Sequence, residues 1–196
     1  MEEWDSLLAE IAQCSLCPLG SGAISRVPGQ GDRRSPLMLI GEGPGQTEDE
    51  QGLAFVGAAG QLLTRMLDAI GLPRDRLYIC NVVKCRPPRN RVPLPEEQAA
   101  CLPYLMRQIE MVNPKVVVLM GGTAAGAVMG QEVRVTRSHG QWYKKDGRYY
   151  MITFHPSALL RDAGKKVLAW QDMQSLRDRL RELGVYADMS WQGSGA

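Results

Sequence analysis

The 196-residue chain carries 23 Lys and Arg against 21 Asp and Glu, a formal net charge of +2, with 44% hydrophobic residues. So weak a charge does not by itself point to a nucleic-acid partner; only local clustering of basic side chains could do so. No apolar run approaches the roughly 20 residues of a membrane span and Met1-Glu2-Glu3 opens no signal peptide, so the expectation is one cytoplasmic domain over residues 1–196, folding around a single core without staples or a membrane.

Taken in order, residues 3 to about 12 place Trp4, Leu7, Leu8 and Ile11 at helical spacing and predict a short amphipathic helix. It runs into Cys14-Ser15-Leu16-Cys17-Pro18, a Cys-x-x-Cys pair that in a reducing compartment is either a redox couple or half of a metal site. Residues 20–36, rich in Gly, Ser, Arg and Pro, predict an irregular surface crossing. Leu37-Met38-Leu39-Ile40 then has the length and composition of a buried strand, and it stops at Gly41-Glu42-Gly43-Pro44-Gly45. Loops at the carboxyl ends of strands are where open α/β sheets bind their ligands. After a polar, acidic segment, Gly52, Gly57 and Gly60 surround the aromatic Phe55, and a helical pattern from Gln61 runs to Gly71-Leu72-Pro73. Neither a Walker phosphate loop nor a dinucleotide fingerprint fits these glycines.

Arg76-Leu77-Tyr78-Ile79-Cys80 predicts a second strand, whose end delivers Asn81 and then a basic, proline-rich loop holding Lys84, Cys85, Arg86, Arg89 and Arg91. Pro95-Glu96-Glu97-Gln98 begins a helix well, with proline in its first turn and acids at the positive end of the dipole. That helix carries Cys101 and ends at Asn113-Pro114. Lys115 to Met120 is the clearest buried strand, and Thr123 to Met129 a helix of small residues suited to close packing on a sheet. Residues 133–152 predict a hairpin about Lys145-Asp146-Gly147, and its last strand presents Phe154-His155-Pro156-Ser157-Ala158-Leu159-Leu160-Arg161. An amphipathic helix over roughly 166–183 and a frayed Gly/Ser tail, about 185–196, close the chain.

Two constellations carry chemistry. Cys14 and Cys17, with Cys85 and Cys101 across the proline-rich loop, supply four thiolates for a tetrahedral zinc or an iron-sulfur cluster. Cys80, inside an apolar run, reads instead as a buried structural thiol. Glu42, Asn81 and His155 each stand at a strand's carboxyl end, and Phe55 adds an aromatic face. A ring to stack on, and an amide able to donate and accept at once, are the elements needed to hold a planar heterocycle.

Gly41-Glu42-Gly43-Pro44-Gly45, Gly52-Leu53-Ala54-Phe55-Val56-Gly57, Asn81-Val82-Val83-Lys84-Cys85-Arg86-Pro87-Pro88, and His155-Pro156-Ser157 with Leu159-Leu160-Arg161 closely resemble the motifs of the family 4 uracil-DNA glycosylases. The likeness extends from about residue 4 to 183. It implies a three-layer α/β/α sandwich with a central, mainly parallel four-stranded sheet, and hydrolysis of the N-glycosidic bond of deoxyuridine in DNA. It further implies a 4Fe-4S cluster on Cys14, Cys17, Cys85 and Cys101. Phe55 would stack on an extruded uracil, Asn81 would read its O4 and N3–H edge, and the backbone at Glu42 and Gly43 would complete the pocket. His155 would donate to O2, where charge develops as the base leaves. Glu42 would either position the attacking water or hold the loop through hydrogen bonds. Lys84, Arg86, Arg89 and Arg161 would clamp the phosphates of uracil-containing DNA, single- or double-stranded, while Leu159 or Leu160 fills the space left by the flipped base.

The chain departs from the family at Gly43, where Ala is usual, and at His139, where a basic residue is more common. No lysine occupies the pocket motifs as an evident Schiff-base nucleophile, so a monofunctional enzyme is expected; a monomer is expected as well. The rival readings are a glycosylase for hypoxanthine or xanthine and a non-catalytic iron-sulfur DNA-binding sensor.

Overall fold

The computed structural model describes residues 2–130 and 132–189. Its frame is a six-stranded sheet built from β1 (Gln30–Gly31), β2 (Leu37–Gly41), β3 (Tyr78–Asn81), β4 (Val116–Met120), β5 (Trp142–Lys145) and β6 (Arg148–Thr153), in the spatial order β1-β3-β2-β4-β6-β5. The inner four strands are parallel, as the resemblance implies. The two outer strands, β1 and β5, pair antiparallel and extend the expected four to six. Every residue of β2, β3 and β4 is buried, which is why these strands read as unbroken apolar runs: a parallel sheet is covered on both faces.

Alternate residues along each strand serve opposite layers. Leu37, Leu39, Ile79, Val116 and Val118 pack with Leu63 and Leu67 of the helix Ala58–Ala69 and with Met173, Leu176 and Leu180 of the helix Lys166–Glu182. Met38, Ile40, Cys80, Val117 and Leu119 pack with Leu105 and Ile109 of the helix Pro95–Val112 and with Ala124 and Ala125 of the helix Gly122–Met129. Chain direction explains the two layers. From β2 the chain crosses to β3 on one side; from β3 it passes back over β2 to β4, and a right-handed crossover then puts its helix on the other face. The reversal creates a switch point between β2 and β4, where open sheets of this kind bind ligands at the strands' carboxyl ends.

Several segments differ from expectation. The acidic stretch after β2 forms a helix, Gln46–Gln51, whose buried residues are Glu48 and Asp49. The hairpin begins only at Trp142, because residues Val135–Ser138 form a helical turn instead. Its own turn is as read: Asp146 and Gly147 both have positive φ, the two-residue connection whose twist matches that of its strands. At the C-terminus, Val185 and Met189 are buried and the Tyr186 hydroxyl donates to the Ile70 carbonyl at 2.6 Å, so the tail is packed through residue 189 rather than frayed from 185. The remainder of that expected tail lies outside the described residues. Among the described residues no helix is long and apolar enough to cross a membrane.

Candidate active site

Parallel pairing brings the strand ends level. Gly41 of β2 stands opposite Asn81 of β3, and Met120 of β4 opposite Thr153 of β6, so Glu42, Asn81, Gly121 and His155 emerge along one edge. Gly41 is what lets the aromatic and the amide meet there: a Cβ on it would lie 2.4 Å from Phe55 Cζ and 2.5 Å from Asn81 Oδ1. The Phe55 ring in turn sits 5.6 Å from the His155 ring, centroid to centroid, tilted by 35°. The structure thus brings together Glu42, Gly43, Phe55, Asn81 and His155.

Asn81 is 1% exposed, yet its Oδ1 is buried with no hydrogen-bond partner among the described residues. A buried acceptor left this way costs on the order of 1–3 kcal/mol, so the site presents an acceptor that a ligand's N–H would satisfy. His155 is its complement. Its Nδ1 accepts the Ser157 backbone N–H at 3.2 Å and lies 2.8 Å from the Ser157 hydroxyl, which puts the proton of the neutral ring on Nε2. Nε2 is likewise buried without a partner among the described residues. Burial first, and the Arg161 charge second, lower the His155 pKa from 6.5 to about 4, so at neutral pH the ring is an uncharged donor. Ser157 and its capping amide belong to the helix Pro156–Arg161, and His155 is that helix's N-cap.

Glu42 bonds across the switch point, its Oε2 accepting from the Thr123 hydroxyl. Its backbone carbonyl accepts from Val83 N at 3.1 Å, and that of Gly41 from Val82 N at 2.9 Å, so the ends of β2 and β3 are stitched into one wall. Gly43 has a local reason: a Cβ there would stand 2.8 Å from Val83 Cγ2, so the valine occupies the space an alanine methyl would take.

Cys14, Cys17, Cys85 and Cys101 line a single pocket together with Ile11, Leu19, Val83 and Arg26. All are free thiols, while Cys80 lies apart, fully buried in the sheet. Burial pushes the Cys85 thiol up to about 12, with Arg26 opposing and the neighbouring thiols adding. The Lys84 backbone N–H donates to Cys101 Sγ at 3.3 Å. Among the described residues no three such side chains converge closely enough to hold one metal ion. The four line one pocket.

Two expected DNA contacts are corrected by burial. Lys84 is 1% exposed; its Nζ donates to the Asn81 carbonyl at 2.7 Å and to Gln108 Oε1 at 2.6 Å, so it braces the strand end from within and reaches no phosphate. Leu159 is 1% exposed and packs with Phe154 and Ala169, whereas Leu160 is 48% exposed and is the apolar side chain free to act outside the fold. Arg89 and Arg161 are exposed and Arg86 half-buried, its Nε bonded to Asn90 Oδ1 at 2.7 Å. His139 faces inward, with Nδ1 at 3.0 Å from the buried Asp172 carboxylate, which removes it from any phosphate contact made by a basic residue at that position. Thr123, Gln108, Arg74 and Glu48 are the partners that sequence reasoning missed. Each acts across the fold, and only Ser157 was signalled locally, by its place two residues beyond His155.

The model of the uracil DNA glycosylase superfamily matches residues 28–174. A type-4 uracil-DNA glycosylase of Thermotoga maritima is 41% identical over 93% of this chain and 98% of that protein. Another, of Pyrobaculum aerophilum, is 44% identical over 77% of this chain and 81% of that protein. A type-5 uracil-DNA glycosylase of the same organism is 32% identical over 71% and 69%. The chain belongs to the uracil-DNA glycosylase superfamily, and within it to the type-4 enzymes.

Proposed function

We propose that the protein is a monofunctional DNA glycosylase that hydrolyses the N-glycosidic bond of deoxyuridine, releasing uracil and leaving an abasic site. One observation carries the reading: a buried acceptor, Asn81 Oδ1, and a buried donor, His155 Nε2, both without a partner among the described residues, stand beside the Phe55 ring. Uracil offers N3–H to the first and O2 to the second, and the Asn81 amide N–H meets O4. Cytosine carries an acceptor at N3 and an amino group at C4, so the same amide opposes it. Reaching the base requires flipping it out of the stack.

As the bond from C1′ to N1 lengthens, the electron pair moves into the uracil ring and negative charge collects on O2. His155 donates to that oxygen as a neutral imidazole, and burial makes the donor strong because little solvent competes. Water adds at C1′, its oxygen forming the new bond there as the C1′–N1 bond breaks, and the proton it loses ends on the departing uracil anion, giving neutral uracil and an abasic sugar. Glu42 orients this water through Oε1, its Oε2 being tied to Thr123, and the same tie holds the loop. Arg86, Arg89 and Arg161 hold backbone phosphates, and Leu160 enters the space the base has left.

Cys14, Cys17, Cys85 and Cys101 are the residues that would hold a 4Fe-4S cluster, with Arg26 beside them to offset its negative charge. Such a group would tie the segment after the helix Glu2–Ala12 to the basic loop at Cys85 and to the helix Pro95–Val112 at Cys101, a structural role with no step of the hydrolysis assigned to it. The whole chain acts as one domain and as a monomer in the cytoplasm. The test is incubation of the purified protein with single- and double-stranded oligonucleotides bearing one uracil, hypoxanthine or xanthine, followed by alkali. Strand breakage at uracil supports the reading, and intact strands with uracil overturn it.

A further inference from the structure

Phe55 occupies a backbone conformation that its own side chain disfavours. Its φ is +53°, in the left-handed region that bulky residues enter only when the surroundings hold them there. The surroundings here are two charges of opposite sign, a half-buried Arg74 and a buried Glu48. Arg74, from the turn that precedes β3, donates through Nη1 to the Phe55 carbonyl at 2.6 Å and through Nη2 to the Ala54 carbonyl. Nη1 also reaches Thr64 Oγ1 at 3.1 Å, which ties the loop to the helix Ala58–Ala69. From the other side, Glu48 Oε1 accepts the backbone N–H of Val56 at 2.9 Å and of Gly57 at 2.8 Å, while Oε2 accepts from Gly45 at 3.1 Å. The carbonyls before and at Phe55 are thus held by a cation and the amides after it by an anion. Gly60 allows the close approach, since a Cβ on it would lie 1.8 Å from the Phe55 carbonyl oxygen.

The hydrogen bonds of both charges described here go to the main chain and to Thr64, not to the ring. We propose that Arg74 and Glu48 form a clamp that sets the angle and depth of the Phe55 ring, making them positioning residues for uracil stacking. The inference rests on the glycosylase reading. Lysine at position 74 keeps the charge but loses the planar fork that spans two successive carbonyls, so Arg74→Lys isolates geometry from charge.

The test is a double-mutant cycle of Arg74→Lys with Phe55→Ala, reading single-turnover uracil release, inhibition by free uracil, and affinity for uracil-free DNA of the same sequence. In the Phe55 background, Arg74→Lys slows release by up to about 100-fold, as small misplacements of a reacting group do. It weakens inhibition by free uracil roughly 10-fold, the scale of one aromatic stack on a base. Affinity for uracil-free DNA stays within about twofold, and in the Phe55→Ala background the same substitution changes all three readouts by no more than about twofold. Equal losses in both backgrounds, or no loss in the Phe55 background, overturn the proposal. Glu48→Gln repeats the cycle from the other side should the lysine variant not fold. Failure of both variants to fold overturns the proposal too, because the charges would then serve the fold and not the ring. If the unaltered protein releases no uracil, it is the glycosylase reading that fails.

Discussion

On the proposed reading, replacing His155 by alanine removes the donor to uracil O2. The imidazole is neutral because burial holds its pKa near 4, its Nδ1 is committed to Ser157, and its Nε2 has no partner among the described residues. The truncation therefore strands no buried charge. A donor that meets charge developing in the transition state contributes about 2.7–4 kcal/mol, so the rate of uracil release should fall by about 100- to 1,000-fold. Loss of the N-cap on the helix Pro156–Arg161 adds a stability cost of about 1 kcal/mol, too small to unfold the protein. The assay is single-turnover cleavage of an end-labelled oligonucleotide with one uracil, at saturating enzyme, beside a binding titration with the same strand. A rate within about threefold of the unaltered protein would refute the assignment of the donor, because 2.7 kcal/mol corresponds to about 100-fold.

The other expectations concern what is buried and what is not. Lys84→Met should lower stability by about 1–3 kcal/mol in urea titration, by stranding the Asn81 carbonyl and Gln108 Oε1, and should leave the salt dependence of DNA binding unchanged. Arg161→Ala should do the reverse, reducing the slope of log affinity against log salt by about 1 with little change in stability. Because the His155 pKa is lowered on folding, from 6.5 to about 4, the unfolded chain binds the proton more readily, so this group's contribution to stability is whole above pH 6.5 and lost as pH falls toward 4. Between pH 7 and pH 4.5 the loss amounts to roughly 2 kcal/mol, and it should be absent from His155→Ala in chemical denaturation at the same two pH values. Gly43→Ala should slow uracil release, and Val83→Ala in the same chain should restore it, since the clash is with Val83 Cγ2. Finally, iron and acid-labile sulfide should be present in anaerobically purified protein and fall together in Cys85→Ser.

The parts of the fold that could be read from sequence are those where one local rule suffices. β2 and β4 are covered on both faces, so their apolar runs are continuous, and Asn81 and His155 could be placed because they follow such runs. The helix Gln46–Gln51 gave no apolar period because its buried positions, Glu48 and Asp49, are carboxylates satisfied by backbone amides of distant loops. Lys84 was misread for a related reason: among arginines and prolines a lysine looks solvated, and the Gln108 that receives it lies on a different helix. The choice between Leu159 and Leu160 depends on which face the helix Pro156–Arg161 turns inward, and that helix was not foreseen. Arg74 carries no local signal, since its partners are carbonyl oxygens that any sequence possesses and a hydroxyl, Thr64, ten residues away.

The most direct trial of this glycosylase is the release of free uracil itself, resolved chromatographically from a uracil-bearing oligonucleotide and compared with a strand of identical sequence bearing cytosine at that position. The pairing of Asn81 Oδ1 with His155 Nε2 predicts stoichiometric uracil from the first strand and no base from the second. Equal release of both bases, or of neither, would contradict it.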